Sequence, residues 1–443
     1  MMSPPVDPVS SSPALPPRAD VVVIGGGIVG VSTALALLRK GHSVVLCEKG
    51  RIGGEQSSRN WGWCRAMGRD SREIPLIQES LRIWSGLDQV AGQDLGFRKC
   101  GIVYLCETEA EMQGYEPWLE HARQHQIGSR LITAKEVQDV LPGLARKVAG
   151  ALYTRTDARA EPAVAAPAIA RALQSLGGTV MTECAARSVE TAAGRVSGVV
   201  TEKGRIACDA VVLAGGSWSR FFAGNLGFDL PQLKVLGSVL RTKPLEGGPE
   251  SSAAGSDFAF RKRADGGYTV AHGGLSTAEI TPDSFRLFGA FLPALRKEWR
   301  GIRLHLGQQF LTEMRWKRRW KADEVTPFEQ IRVLDPVPDN RLLDQAMANL
   351  RKAHPAFAGV VEAQRWGGLI DVTPDAVPVI SNVAALPGFF IATGFSGHGF
   401  GLGPGAGRLM ADLVAGDTPI VDPAPFRFSR FSDGSKVTVE AGF

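Results

Sequence analysis

The first regular pattern in the chain is a short apolar run at residues 20–24, followed by three glycines and an apolar stretch of small residues at 31–39. A β-branched run bounded by glycine is typical of a buried parallel strand, and the second stretch consists of good helix formers. A second apolar run, at 44–47, ends at Glu48. The pattern predicts a strand–helix–strand unit of about thirty residues.

The rest of the chain mixes helical spacing with strand-like runs. Helical spacing occurs at 71–95, 108–126, 163–176, 341–353 and 405–415. Strand-like runs occur at 97–106, 179–183, 209–214 and 388–393, and β-alternation covers parts of 230–320. We expect an α/β fold, in which a discontinuous Rossmann-like nucleotide domain carries an inserted, mostly antiparallel β-sheet substrate domain.

The same pattern suggests domain boundaries. Residues 1–18 are rich in proline and serine, which predicts a disordered leader. The nucleotide domain is assigned to 19–85, 150–228 and 366–435. The substrate domain is assigned to 86–149 and 229–365.

Composition narrows the function classes. The net charge of +5 comes from 50 basic and 45 acidic residues, a balance too mixed to indicate nucleic acid as a partner. The six cysteines are scattered without C-x-x-C spacing, which predicts no metal site and a reduced, cytoplasmic setting. No uninterrupted apolar stretch of about 18 residues occurs, so we expect no transmembrane segment.

A glycine motif identifies the nucleotide site. Residues 25–30 read G-x-G-x-x-G, follow a predicted strand and open a predicted helix. Gly25 permits the tight turn, Gly27 allows the backbone to approach a pyrophosphate, and Gly30 allows the helix to pack on the strand. Glu48 ends the next strand, where a carboxylate accepts hydrogen bonds from ribose hydroxyls. Only one complete motif is present, so two alternatives remain: an NAD-dependent dehydrogenase, or an enzyme that binds FAD and takes electrons from its substrate.

Further motifs follow in order along the chain. Residues 53–62 read GGEQSSRNWG, and residues 213–219 read LAGGSWS after an apolar run. Residues 366–369 read WGGL, residues 373–380 read TPDAVPVI, and residues 392–400 read ATGFSGHGF. Together these segments resemble those of D-amino-acid-oxidase-like flavoproteins, a group that includes glycine and sarcosine oxidases. The resemblance spans nearly the whole chain and implies an FAD-binding domain. Because no cysteine follows Cys208, we expect FAD to be noncovalent.

The resemblance implies a set of cofactor contacts. Backbone groups near the end of the chain are expected to face the flavin edge where negative charge develops on reduction. The expected cofactor-binding residues are Gly25, Gly27, Ile28, Val29, Gly30, Glu48, Lys49, Ser57, Ser58, Arg59, Asn60, Trp61, Gly62, Val189, Ala214, Gly215, Trp218, Gly394, Gly397, His398, Gly399 and Phe400.

The substrate site departs from the family pattern. Many amino-acid oxidases of this group have an arginine directly after the G-L pair, and it binds the substrate carboxylate; here Ile370 and Asp371 follow. Another basic residue replaces that arginine, or the substrate has no carboxylate there. The substrate candidates are Trp61, Arg65, Lys262, Arg315 and Trp366. His398 and Asp371 are the catalytic candidates, although helix-start and structural hydrogen bonds are alternative roles for them.

The expected function is FAD-dependent oxidation of the C–N bond of a small amine or amino acid. The family reaction passes a hydride to flavin N5 and produces an imine that water hydrolyses, so positioning and desolvation dominate. The electron acceptor is expected to be oxygen, or a quinone or other electron carrier. The alternatives are a flavin subunit of a multi-subunit dehydrogenase and an NAD(P)-dependent dehydrogenase.

Overall fold

The computed structural model describes residues 3–440 as a set of helices packed around several sheets. The strands are β1 Val21–Ile24, β2 Val44–Cys47, β3 Trp63–Cys64, β4 Arg98–Lys99, β5 Ile102–Cys106, β6 Ser129–Thr133, β7 Gly150–Thr154, β8 Ala158–Arg159, β9 Thr179–Met181, β10 Ala186–Ala192, β11 Arg195–Thr201, β12 Gly204–Ala207, β13 Ala210–Leu213, β14 Leu233–Thr242, β15 Ser252–Ala254, β16 Ala259–Lys262, β17 Tyr268–Ala271, β18 Ser276–Glu279, β19 Ile302–His305, β20 Glu362–Val372, β21 Val379–Asn382 and β22 Phe389–Thr393. The helices are α1 Ile28–Arg39, α2 Gln56–Arg59, α3 Ile74–Ala91, α4 Glu109–Gly114, α5 Glu116–Gln124, α6 Ala134–Val140, α7 Pro162–Ser175, α8 Ser219–Asn225, α9 Pro282–Arg286, α10 Phe288–Glu298, α11 Gln308–Arg315, α12 Pro327–Gln330, α13 Asn340–Ala353 and α14 Gly399–Ala415.

A six-stranded sheet carries the glycine motif. Its strand order is β21-β22-β13-β1-β2-β9, and all pairs are parallel except β21 with β22. Strand side chains alternate between faces, so Val21 and Val23 pack with the helices α1, α3, α7 and α14, whereas Val22 and Ile24 pack toward the β10-β11-β12 sheet. Both faces are therefore covered, which explains why β1 is an uninterrupted apolar run. The α/β fold class is confirmed.

A second, larger sheet is mostly antiparallel. Its order is β19-β18-β14-β17-β16-β15-β5-β7-β6, with β20 paired along β14. Only the β15–β5 and β18–β19 pairs are parallel. The predicted boundaries differ at two places, because β7 and β20 hydrogen-bond into this sheet although 150–154 and 366–372 were assigned to the nucleotide domain. The division into two domains stays a prediction.

The expected disordered leader is wrong for residues 3–18. The amide of Ser12 donates a hydrogen bond to the carbonyl of Val180 at 2.7 Å. The amide of Asp7 donates to the carbonyl of Ala163 at 3.1 Å. Arg59 donates to Ser3 Oγ at 2.8 Å. Serine hydroxyls and backbone groups of the stretch thus bind to an edge strand and a helix, which holds a segment of low hydrophobicity in place.

The β-alternation expected across 230–320 is also partly wrong. Between β18 and residue 320 the chain forms helices α9, α10 and α11, and only β19 is a strand. Thr281 begins α9 with a reciprocal cap involving Ser284, and Pro282 occupies the first helical position. These local helix-start signals prevail over the alternating apolar pattern.

Candidate active site

The turn between β1 and α1 has no room for side chains. Gly25 has φ +111°, and a Cβ there would lie 2.3 Å from the carbonyl oxygen of Ala214. A Cβ at Gly30 would lie 1.9 Å from the carbonyl oxygen of Gly25. Ser57 accepts a hydrogen bond from the amide of Ile28 at 2.8 Å. The glycine motif therefore closes the turn tightly and leaves the start of α1 facing a cavity, where unpaired amides favour an anion.

Glu48 lies at the end of β2 and is tied to the same turn. Its carboxylate accepts from the amides of Gly26 and Gly50, both at 2.7 Å. Burial raises the pKa of Glu48. Each carboxylate oxygen has two acceptor positions, so both retain capacity for a ribose hydroxyl.

These groups line a cavity that runs from Glu48 to the start of α14. Many of the expected cofactor contacts line it together: Gly25, Gly27, Ile28, Val29, Glu48, Lys49, Ser57, Asn60, Ala214, Gly215, Trp218, Gly397, Gly399 and Phe400. These residues come from five separate segments of the sequence. The carboxyl ends of β1, β2, β13 and β22 bring them to one edge of the sheet.

Other expected cofactor residues lie elsewhere. Val189 packs in the core of the small sheet, and Ala186 of the same strand lines the cavity instead. Gly30 and Ser58 lie behind the cavity wall, as do Gly62 and Gly394. Arg59 is buried and pairs with Asp335 at 2.7 Å, so its side chain is structural. The expected contact set was therefore too broad around the 57–62 loop.

The turn before α14 is organised by Asp371. Its Oδ2 accepts from the amide of Gly394 at 2.6 Å and from the side chains of Thr393 and Gln232 at 3.1 Å. Burial raises the pKa of Asp371. Asp371 lines the cavity described above but not a second cavity that adjoins it. The geometry therefore supports the positioning alternative for Asp371 rather than the catalytic one.

A second cavity adjoins the first, and Gln56, Asn60, Ile370, Gly397 and Phe400 line both. Two of the substrate candidates, Trp61 and Arg65, lie in its wall, together with His398. Trp63 also lines it, as do three residues that the sequence reasoning missed: Arg69, Tyr104 and His272. We identify this second space as the candidate substrate cavity because it opens beside the turn before α14.

The other three substrate candidates do not line this cavity. Lys262 forms an ion pair with Glu250 outside the cavity wall. Arg315 is exposed on α11. The indole of Trp366 is buried and donates to the carbonyl of Arg59 at 3.1 Å. Each was chosen for its chemistry, but its place in the fold, on β16 for Lys262, at the end of α11 for Arg315 and on β20 for Trp366, keeps it out of the cavity wall.

A buried group of three ionisable side chains, each close to the next, ends at the substrate cavity. His398 Nδ1 lies 2.9 Å from a carboxylate oxygen of Glu73, and Glu73 lies 3.8 Å from Arg69 Nη1. Burial, with the nearby charge of Arg69, lowers the pKa of His398 to about 4. Burial alone would raise the pKa of Glu73, but His398 and Arg69 hold it below its usual value. A neutral His398 therefore donates from Nδ1 to an ionised Glu73.

Three atoms of this buried group lack a hydrogen-bond partner. Among residues 3–440, His398 Nε2, Glu73 Oε1 and Arg69 Nη1 are buried without a hydrogen bond. Burying such groups unpaired is costly, and a ligand that supplies partners removes the cost. With Nδ1 as the donor, Nε2 offers a lone pair to the cavity. Neither Glu73 nor Arg69 belongs to a sequence motif, and Glu73 is 325 residues away from His398 along the chain.

The cofactor cavity fits FAD. The start of α1 suits a pyrophosphate, Glu48 suits a ribose, and the turn at Gly397–Gly399 opens α14 beside the substrate cavity. The first amides of α14 have no partners within the helix, so they can bind an electron-rich flavin edge. Within residues 3–440 no cluster of His, Cys, Asp and Glu of metal-binding size occurs. No helix in that part of the chain has the length and apolar character needed to cross a bilayer.

Comparisons with known proteins agree with this geometry. L-amino acid deaminase from Proteus myxofaciens, solved in complex with anthranilate, has 34% sequence identity and a TM-score of 0.93, with 97% of each chain covered. Sarcosine oxidase subunit beta from Rhodobacter capsulatus is 26% identical over 98% of this chain and 94% of the relative. Glycine oxidase from Pseudomonas aeruginosa is 26% identical over 92% of this chain and 97% of the relative.

The sequence profile of the family described as FAD dependent oxidoreductase matches residues 20–413. That span includes every strand of the six-stranded sheet. It also includes the glycine turns that line the two cavities. The expectation of FAD as cofactor is confirmed, and the NAD(P)-dependent alternative is wrong. The chain belongs to the FAD-dependent oxidoreductase family.

Proposed function

We propose that the protein oxidises the C–N bond of an L-α-amino acid with FAD and releases the corresponding keto acid and ammonia. One observation carries the proposal: a guanidinium nitrogen of Arg69 and an imidazole nitrogen of His398 are both buried without a hydrogen bond, and the two residues line the same cavity. An α-amino acid has a carboxylate and an amine on one carbon and supplies a partner to each. The likeness to L-amino acid deaminase over nearly the whole chain supports the choice of the L series.

Arg65 and Arg69 bind the carboxylate in this proposal. Both line the cavity, and Arg69 is buried with its Nη1 free of hydrogen bonds in residues 3–440. A guanidinium binds a carboxylate through directional, charge-assisted bonds that are stronger in a buried site than in water. The pair thus replaces the arginine that is missing at Ile370 and Asp371.

His398 accepts a hydrogen bond from the substrate amine. Its Nδ1–H is engaged by Glu73, which fixes the tautomer and leaves the Nε2 lone pair toward the cavity. A neutral imidazole is the form present above about pH 4. His398 therefore orients the amine and favours its neutral form, from which hydride departs more readily than from an ammonium.

The remaining wall favours an apolar or aromatic substrate side chain. Trp61 and Trp63 meet edge to face with centroids 5.1 Å apart, and Tyr104 lies 6.1 Å from Trp63. Aromatic surfaces of this kind exclude water and pack against apolar groups. FAD, when bound, accepts the hydride from the substrate carbon, and water hydrolyses the resulting imine.

The electron acceptor and cellular setting are part of the proposal. We infer that reduced enzyme passes its electrons to oxygen or to a quinone-type carrier. All six cysteines are free in the structure, which supports a cytoplasmic setting. The relative named sarcosine oxidase subunit beta also supports a second possibility, a catalytic subunit of a larger assembly, which would show as activity that needs a partner.

The test begins with the purified holoenzyme and its visible spectrum. We expect the flavin absorbance to bleach within seconds when L-phenylalanine or L-leucine is added without air. D-phenylalanine and phenethylamine are controls that alter only chirality or remove only the carboxylate, and neither should bleach the flavin at comparable concentration. Air then regenerates the colour of an oxidase, whereas a dehydrogenase needs an added quinone. Bleaching by phenethylamine as fast as by L-phenylalanine would refute the carboxylate site.

A further inference from the structure

Asp157 is a buried acid that has no part in the chemistry described so far. It lies in the turn between β7 and β8, and its side chain is fully buried. Its Oδ1 accepts a hydrogen bond from the amide of Ala66 at 2.8 Å, and its Oδ2 accepts one from the amide of Met67 at 3.1 Å. One carboxylate thus holds two consecutive peptide groups of the loop that follows β3.

That loop, residues 65–69, carries both arginines that we propose to bind the substrate carboxylate. Arg65 Nη1 donates to the carbonyl of Met67, and Arg69 Nε donates to the carbonyl of Arg65 at 3.1 Å. The guanidinium of Arg65 also lies over the ring of Tyr104, 5.6 Å from its centroid. Both guanidinium groups are therefore hydrogen-bonded to the backbone of their own loop, and a group that fixes this backbone also orients the arginines.

Asp157 fixes the first half of the loop. Ala66 and Met67 are buried, so their amides would be costly to leave without an acceptor. The loop turns back at Gly68, where φ is +66°. Its other end is held by the indole of Trp118, which donates to the carbonyl of Arg69 at 2.8 Å. Asp157 does not line the substrate cavity, so it acts on the substrate only through this loop.

We propose that Asp157 is a positioning residue for the substrate carboxylate: its ionised form holds the 65–69 loop so that Arg65 and Arg69 face the substrate. A protonated carboxyl keeps only one good acceptor oxygen, so one of the two amides would lose its partner and the loop would loosen. The proposal rests on the proposed function, because it uses the carboxylate site made by the two arginines.

Asp157 changes its charge in a range where the enzyme can be assayed. Burial raises the pKa of Asp157 to about 6. The two amide bonds oppose that rise, and the charges of Arg65 and Arg69 oppose it less. The thiol of Cys64, which also faces Asp157, stays neutral because burial raises its pKa. Since the amide bonds outweigh the charges, protonation of Asp157 should weaken carboxylate binding by loosening the loop more than it strengthens the attraction of the arginines for an anion.

The test measures binding of benzoate to the FAD-loaded enzyme through the change in flavin absorbance. Benzoate offers a carboxylate on an aromatic ring and stays largely ionised from about pH 5 to about pH 8. We expect its Kd to rise about tenfold as the pH falls over this range, with a midpoint near pH 6. Benzamide, which is neutral, should bind equally at both ends of the range. A benzoate Kd that is constant, or that falls on acidification, would overturn the proposal.

A second acid has to be separated from Asp157. Glu298 lines the substrate cavity, and burial raises its pKa. Its ionisation would repel benzoate, so it would weaken binding as the pH rises, which is the opposite sign. Glu298→Gln should therefore keep the step near pH 6. Loss of the step in this variant would assign it to Glu298 and overturn the proposal.

Asp157→Asn removes the titration and keeps the size of the side chain. Its amide nitrogen cannot accept from a backbone amide, so the Kd of benzoate at pH 8 should be about tenfold higher than in the unaltered enzyme, without a step near pH 6. The KM for L-phenylalanine should rise while kcat stays nearly unchanged. The exposed Asp139→Asn is the matched control and should behave as the unaltered enzyme does. A merely structural role of Asp157 would lower stability and FAD content but leave the step in place.

Failure of this proposal is distinguishable from failure of the proposed function, because benzoate binding needs no turnover. Benzoate binding without the step, in an enzyme that oxidises L-phenylalanine, overturns the role of Asp157 alone. Binding with the step, in an enzyme that oxidises no L-amino acid, supports that role and refutes the proposed substrate. Where Asp157→Asn fails to hold FAD, the pH dependence of the unaltered enzyme and of Glu298→Gln still decides between the two acids.

Discussion

The cofactor cavity and the substrate cavity adjoin, yet they are encoded in different ways. The cofactor cavity depends on backbone amides, glycines without room for a Cβ, and one acid at a strand end. The substrate cavity depends on side chains from distant segments, such as Glu73 and His398. A backbone-built site leaves a local sequence motif, whereas a side-chain site does not. We therefore expect substitutions in the first to abolish cofactor binding and those in the second to alter turnover while FAD stays bound.

The largest effect is expected from Gly30→Ala. The added Cβ would lie 1.9 Å from the carbonyl oxygen of Gly25, so α1 must move away from β1. The ratio of flavin to protein absorbance after purification should fall at least tenfold. Gly86→Ala is the matched control because its added Cβ meets nothing within 4 Å, and it should retain FAD fully. A yellow Gly30→Ala protein with normal stability would contradict the model of a closed turn.

Arg69→Gln should come next, with its effect confined to the substrate. Losing a buried, charge-assisted contact to the carboxylate corresponds to about 3 kcal/mol, or roughly a hundredfold rise in KM for L-phenylalanine. FAD content should be unchanged. Arg69→Lys keeps the charge but not the planar fork and should recover part of the loss. The exposed Arg123→Gln serves as the control, and equal KM values in all three proteins would remove Arg69 from the site.

Glu73→Gln should have a smaller effect, of about tenfold in kcat/KM, with a change in pH dependence. The pKa of His398 is about 4, and the negative charge of Glu73 favours its protonated form. Without that charge protonation is harder, so the acidic limb of the kcat/KM profile should shift to lower pH. A merely structural role would lower activity without shifting the limb. The exposed Glu120→Gln should leave the profile in place.

Lys262→Ala should have the smallest effect. Its ammonium pairs with Glu250 away from the cavity, and surface ion pairs contribute little. We expect KM and kcat within about twofold of the unaltered enzyme and a change in the free energy of unfolding below about 1 kcal/mol. Steady-state kinetics and denaturant unfolding measure both. A KM rise comparable to that of Arg69→Gln would instead place Lys262 at the substrate.

The sequence predicted correctly those features whose residues follow one another closely along the chain. The strand, glycine turn and helix at 21–39 are consecutive, and Glu48 follows at the end of the next strand. It did not predict where Lys262, Arg315 and Trp366 lie relative to the cavity, because each has suitable chemistry but a direction that depends on sheet register or on where α11 starts. Val189 was misplaced for the same reason. Its side chain packs in the core, whereas Ala186, three residues earlier on the same strand, lines the cavity.

The amino-acid sequence by itself indicated FAD as the cofactor through the resemblance of its later motifs to one flavoprotein family, and it determined the α/β fold and the nucleotide turn. The fold and the turn depend on local backbone geometry that only glycine, β-branched runs and a single acid can provide in that order. Only the tertiary structure decided that Arg69, Glu73 and His398 form one buried group at the substrate cavity. It also decided that apolar side chains of α9 and α11 contact each other. The reason is that contacts between side chains far apart in sequence depend on how whole elements pack, which no local pattern records.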